Sequence, residues 1–166
     1  KSYDIRTSWF QKVPFSNKLY KAMLPLMPGA FEAFDLTEYD LVLSSSSSCS
    51  KGVITRPDAV HICYCHTPTR YVWDFYYTYR NNANALVRAV MPGQMLKLRQ
   101  WDKCAADRVD YFIANSHYIA KRISNGLAVP EARLQGVLQP YRTEIFMSWS
   151  YGCERRVCDL FRQRCD

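Results

Sequence analysis

With 166 residues, 48% apolar and 14% aromatic, the chain has enough apolar mass for one ordinary domain with its own core, and too much for a largely disordered one. No run approaches the roughly 20 continuous apolar residues of a membrane-spanning helix, and the opening Lys-Ser-Tyr-Asp-Ile-Arg does not read as a signal peptide. A net charge of +7 favours anionic partners, but the basic residues are dispersed, which argues against a dedicated nucleic-acid binder.

In chain order, the first predicted element is the segment 8–26, where Trp9, Phe10, Phe15, Tyr20, Met23 and Leu24 alternate with Lys12, Lys18 and Lys21. It reads as a loop and short helix, basic on one side and apolar on the other. Such a helix either packs on a core with a solvated lysine edge or lies on an anionic membrane surface. Strands are predicted at 40–46 (DLVLSSS), 59–65 (AVHICYC) and 109–115 (VDYFIAN). Near-continuous apolar runs of this length fit a parallel sheet buried on both faces.

Helices are predicted over 70–80, 84–90, 94–108 and 116–123, with Met91-Pro92-Gly93 as a breaker between the second and third. Asn115 or Ser116 is placed to cap the last of them. Strands alternating with helices predict an α/β domain with a doubly wound, Rossmann-like parallel sheet. From Ser124 onward the texture changes: six arginines and no lysine, against eight lysines before it, with three of the seven cysteines in the last 14 residues. No strand period is visible there. The expected division is therefore 1–123 as an α/β unit and 124–166 as an atypical Arg/Cys-rich tail, poorly ordered or of shifted reading frame.

Ligands of open α/β sheets bind beyond the carboxyl ends of the strands. His66 stands just past the second strand, where an imidazole can hydrogen-bond a sugar hydroxyl and change charge near neutral pH. Arg70 and Asp74, four apart, share a helix face; they pair with one another, or Arg70 grips a phosphate or acidic group. Trp73 either stacks on a sugar ring or packs in the core. Ser45 and Ser46 lie in a run of small hydroxyl residues, 44–48, that lets a ligand approach the backbone, or in a flexible serine loop. Asn115 and Ser116 end the third strand at a helix start, as anion contacts or a plain N-cap.

The pair Cys63 and Cys65, with His61 on the same alternating face, invites a metal reading. One intervening residue is too few for the usual zinc pair, and no second pair follows, so no metal is expected. The odd, irregularly spaced cysteines fit reduced thiols in a cytoplasmic setting.

The stretches LPLMPGAFEAFDLTEYDLVLSSS (24–46), KGV (51–53), YCHTPTRYVWD (64–74) and RQWDKCAADRVDYFIANSHYIAKRI (99–123) together resemble the N-terminal domain of family 4 glycosyltransferases. These are retaining enzymes of GT-B fold, and the likeness is to the bacterial mannosyltransferase-like branch that builds surface polysaccharides. The resemblance implies a two-domain enzyme whose N-terminal domain binds the acceptor and whose C-terminal domain binds the nucleotide sugar, with no cofactor. It makes His66 the cleft histidine of catalysis, touching acceptor or transferred sugar; Arg70, Trp73, Asp74, Ser45, Ser46, Asn115 and Ser116 are the candidate substrate contacts that the residues themselves suggest around it.

The chain departs from the family in having no Gly-Gly and no Glu-x7-Glu pair. The resemblance therefore implies the acceptor-side part of a GT-B enzyme, lacking its first strand-turn unit and inactive alone. The intact enzyme would move a hexose such as mannose to a polysaccharide or lipid-linked acceptor at the cytoplasmic face of the membrane. The rival expectation is a non-catalytic basic-aromatic module for membrane or glycan.

Overall fold

Three strands form where the apolar runs predict them, and a fourth joins them. They are β1 (Leu41–Ser46), β2 (Val60–Cys65), β3 (Tyr111–Ala114) and β4 (Leu134–Val137), in a computed structural model that describes residues 5–9 and 23–137. The amphipathic segment 8–26 lies mostly outside the described residues, as does the tail beyond 137. All neighbours are parallel, in the order β1-β2-β3-β4. The α/β class and the Rossmann-like parallel sheet are thus observed. The order runs straight across, however, so among the described residues there is no reversal of direction such as makes a sheet doubly wound.

β4 falls in the part expected to be tail. The helix before it also continues past 123 to Leu127, and Leu127 and Val129 are buried in the main core. The loss of lysine at Ser124 therefore does not mark the end of the packed unit.

Expected burial on both sheet faces holds on one only. Registered neighbours share a face in a parallel pair, so Ser44, Cys63 and Phe112 lie together, as do Ser46, Cys65 and Ala114. All six are buried. The opposite face keeps Ile62 buried but leaves Leu41, Tyr64, Tyr111 and Ile113 half-buried and Leu43 49% exposed. The described helices cover the first face: Ala106, Ile119, Ile123 and Leu127 close over Cys63, Cys65, Phe112 and Ala114.

The helices are α1 (Met27–Glu32), α2 (Arg70–Trp73), α3 (Tyr76–Asn81), α4 (Ala85–Asp107) and α5 (His117–Leu127). The predicted helix over 70–80 is two short ones, parted at Asp74–Phe75, where both amides turn back to the Arg70 carbonyl. The predicted break at Met91-Pro92-Gly93 is absent, and α4 runs through it. Pro92 denies one helical hydrogen bond, but Met91, Met95 and Leu98 dock together on Val72, and this packing outweighs the local preference.

α5 follows its sequence closely. The Ser116 hydroxyl accepts the Ile119 amide at 3.3 Å, satisfying one orphan donor of the first turn. Ile119, Ile123 and Leu127, four apart, form its buried stripe. It ends on Ala128 at φ 57°, in the left-handed region.

Candidate functional site

The carboxyl ends of the first three strands deliver side chains to one cleft of about 670 Å³. Ser47 comes from just past β1, His66 and Thr67 from past β2, and Asn115 and Ser116 from past β3. Arg70 of α2 forms a second wall, and Tyr118, Ile119 and Arg122 of α5 a third. A parallel sheet makes such a convergence automatic, because every strand ends at the same edge.

His66 is exposed at the centre of this edge. Its backbone amide bonds the Ser46 carbonyl at 2.9 Å, continuing the β1–β2 ladder. The Ser45 hydroxyl lies 2.9 Å from Nε2, and the Tyr64 ring stands edge-on with its centroid 4.8 Å away. The imidazole is thus oriented by a hydroxyl on one side and an aromatic wall on the other, with Nδ1 given no partner among the described residues.

The structure divides the expected site residues. His66, Arg70, Asn115 and Ser116 line the cleft, and Ser45 reaches it through His66. Ser46 is fully buried, its hydroxyl donating to the Ser48 carbonyl at 3.3 Å. Trp73 turns inward, its indole N–H donating to Asp102 at 2.8 Å, and it packs against both apolar clusters rather than lining the cleft. Asp74 does not pair with Arg70. It forms a two-pronged ion pair with Arg122, both contacts at 2.5 Å. Arg70 lies over the Phe75 ring, 5.3 Å from its centroid, and has no carboxylate partner among the described residues.

Ser47 belongs to the serine run that the sequence reading singled out, but Thr67, Tyr118 and Arg122 escaped it. Arg122 lies 48 positions from its partner Asp74, beyond any local pattern. A signal for Tyr118 and Arg122 did exist: they lie four apart, so a helix beginning at the strand end aims both the same way.

Behind the cleft lies a buried ionic node. Lys51 and Asp102 are 0% and 1% exposed, with Nζ 2.5 Å from Oδ1. Asp102 also accepts the Thr69 hydroxyl at 2.6 Å and the Trp73 indole at 2.8 Å, while Lys51 donates to the Ser48 carbonyl at 2.9 Å. Each charge is met by several partners, the condition under which a buried pair is tolerated. The node ties the turn after Ser47 to Thr69, the residue before Arg70, and so fixes two cleft walls from behind.

His61, Cys63 and Cys65 all face the core, fully buried. A hydrogen bond with Cys63, then burial, holds the Cys65 thiol well above its ordinary range, so it stays protonated. His61 Nε2 meets the Ser44 hydroxyl at 2.9 Å, and burial pushes its pKa down to about 4. These three are packing residues. Among the described residues no group of three or more His, Cys, Asp or Glu side chains is placed to hold a metal ion, and no helix is long and apolar enough to cross a membrane.

Chemically, the cleft offers, among the described residues, one oriented imidazole, two guanidinium groups, several hydroxyls and one carboxamide, with no carboxylate on its lining. It can hydrogen-bond a polyol and hold an anion. No family model, curated protein or solved structure matched the chain.

Proposed function

We propose that this chain is the acceptor-binding part of a retaining glycosyltransferase of GT-B type. The intact enzyme moves a hexose such as mannose from a nucleotide sugar to a polysaccharide or lipid-linked acceptor. The observation that carries the reading is the position of His66. It stands at the carboxyl edge of a parallel sheet, exposed in a cleft lined by hydroxyls and braced by Ser45. The histidine contacts the acceptor or the transferred hexose, and Ser47, Thr67 and Asn115 supply the hydrogen bonds that a polyol needs. Since the sequence has neither Gly-Gly nor a Glu-x7-Glu pair, the chain alone binds without transferring.

Saturation-transfer NMR with α-mannosides and oligomannose tests this. Wild type shows saturable contact, and His66→Ala weakens it tenfold or more while leaving the amide spectrum folded. Absence of binding to any hexose oligosaccharide, or binding unchanged in His66→Ala, overturns the reading.

A second reading has its own observation. From 75 to 101 the chain has no acidic residue and four basic ones. This stretch exposes Phe75, Tyr77, Tyr79, Leu86, Val87 and Val90. An aromatic surface free of negative charge suits a module that lies on an anionic membrane. Sedimentation with vesicles containing phosphatidylglycerol separates it from the first: Leu86→Ser/Val90→Ser abolishes membrane pelleting but leaves mannoside binding intact if both readings hold.

A further inference from the structure

We propose that the cleft beside His66 is a phosphate site, and that the ligand of this chain is a phosphorylated one. The inference rests on the acceptor-binding reading only for what carries the phosphate.

The argument begins with charge. Arg70 and Arg122 both line the cleft, and among the described residues no Asp or Glu does. Their states differ in a way that matters. Arg122 is held by Asp74 through two contacts and by the Tyr118 ring, 5.7 Å from its Cζ. Its charge is largely balanced, and its position is fixed. Arg70 is exposed, steadied on one side by the Phe75 ring, and its charge is uncompensated among the described residues. One guanidinium is therefore structural and the other is available, presented as a planar fork that matches phosphate oxygens.

The remaining walls supply donors from other directions. Ser47 offers a hydroxyl at the end of β1, whereas the Thr67 hydroxyl at the end of β2 donates to the Pro68 carbonyl at 3.0 Å. The first-turn amides of His117 and Tyr118 have no carbonyl one turn back within α5, and the Ser116 hydroxyl serves the Ile119 amide instead. Donors arriving from three sides fit an anion with several diverging oxygens better than a flat carboxylate. Arg122 is the brace: through Asp74, at the end of α2, it locks α5 to the helix that carries Arg70.

Two sources of such a phosphate fit the same chemistry: the diphosphate of a lipid-linked acceptor and that of a nucleotide sugar. Amide and arginine side-chain NMR of the full chain tests the site with inorganic pyrophosphate as probe, at constant ionic strength. The expected result is saturable shifts at Arg70 and at 116–119. Arg70→Gln weakens binding tenfold or more with a folded spectrum, Arg70→Lys keeps part of it, and excess acetate does not compete. No saturable shift, equal binding by Arg70→Gln, or competition by acetate at parity with pyrophosphate overturns the proposal.

Geranyl diphosphate binding more tightly than guanosine diphosphate assigns the lipid carrier, and the reverse order assigns the donor. Mannoside binding that depends on His66 without any pyrophosphate binding sinks this inference and leaves the glycosyltransferase reading. Arg70-dependent pyrophosphate binding without any hexose-bearing ligand does the opposite.

Discussion

Burial of His61 makes acid stability the sharpest quantitative test of the packing. The imidazole is fully buried on the helix-covered sheet face, with Ser44 on Nε2 and no partner on Nδ1 among the described residues. Desolvation pushes its pKa to about 4; the neighbouring Asp110 and the polar backbone of Arg108 pull the other way, while the Arg108 charge adds to the lowering. In the unfolded chain the imidazole returns to about 6.5. Between these values the unfolded state holds the extra proton, so stability rises with pH across the window. It is complete above about 6.5 and declines as pH falls toward 4. The loss contributed by this group reaches about 2.5 kcal/mol at pH 4.5 and about 3 kcal/mol at its limit.

The assay is urea unfolding at pH 7.5, 6.0, 5.0 and 4.5, for wild type and for His61→Gln, which keeps a polar partner for Ser44 but does not titrate. The variant is expected to be less stable at pH 7.5, because its amide fits the site less well. The difference should shrink by about 2.5 kcal/mol at pH 4.5 as wild type loses the contribution the variant lacks. Carboxylate titrations common to both cancel in the comparison. Parallel stability curves for the two proteins, or an NMR titration of His61 with a midpoint at 6 or above, would refute the reasoning.

Two further outcomes follow from contacts behind the cleft. Asp102→Ala strips Lys51 of its counter-charge and orphans the Trp73 indole donor, leaving the Thr69 hydroxyl only its longer contact to the Ser48 carbonyl, so unfolding in urea should show a loss of about 3–5 kcal/mol. The double variant Lys51→Met/Asp102→Leu should recover much of it, and equal loss in both would contradict the account. At Gly52 an added Cβ would fall 2.2 Å from Cζ2 and 2.5 Å from Cη2 of Trp101, whose indole N–H donates to Glu32 at 2.8 Å. Gly52→Ala should therefore cost about 1–3 kcal/mol by overpacking, read as a lower urea midpoint with a shifted Trp fluorescence maximum. An unchanged midpoint would count against the contact.

What the sequence made legible was local. Apolar β-branched runs marked the three strands, and alternation placed His61, Cys63 and Cys65 on one face, where the structure has them. Strand ends then pointed to His66, Asn115 and Ser116 as one cleft edge. Pro92 misled because a breaker reports only local preference, while Met91, Met95 and Leu98 answer to packing on Val72. β4 was hidden because Leu134-Gln-Gly-Val137 is short and polar in the middle, taking its order from β3. The Asp74–Arg122 pair and the Lys51–Asp102 node join residues 48 and 51 positions apart. No periodic pattern couples such distances, so polar contacts between elements stayed invisible.

The Lys51–Asp102 node governs how this surface can diversify. It carries the burden of holding the Ser47 turn and the start of α2, while Ser47, His66 and Arg70 carry none of that burden themselves. Replacing any of the three alters what the chain greets without loosening what it stands on. Specificity and integrity are thereby assigned to different residues. A lineage could exchange one ligand for another by rewriting the outward three, so long as the inward two stayed unaltered.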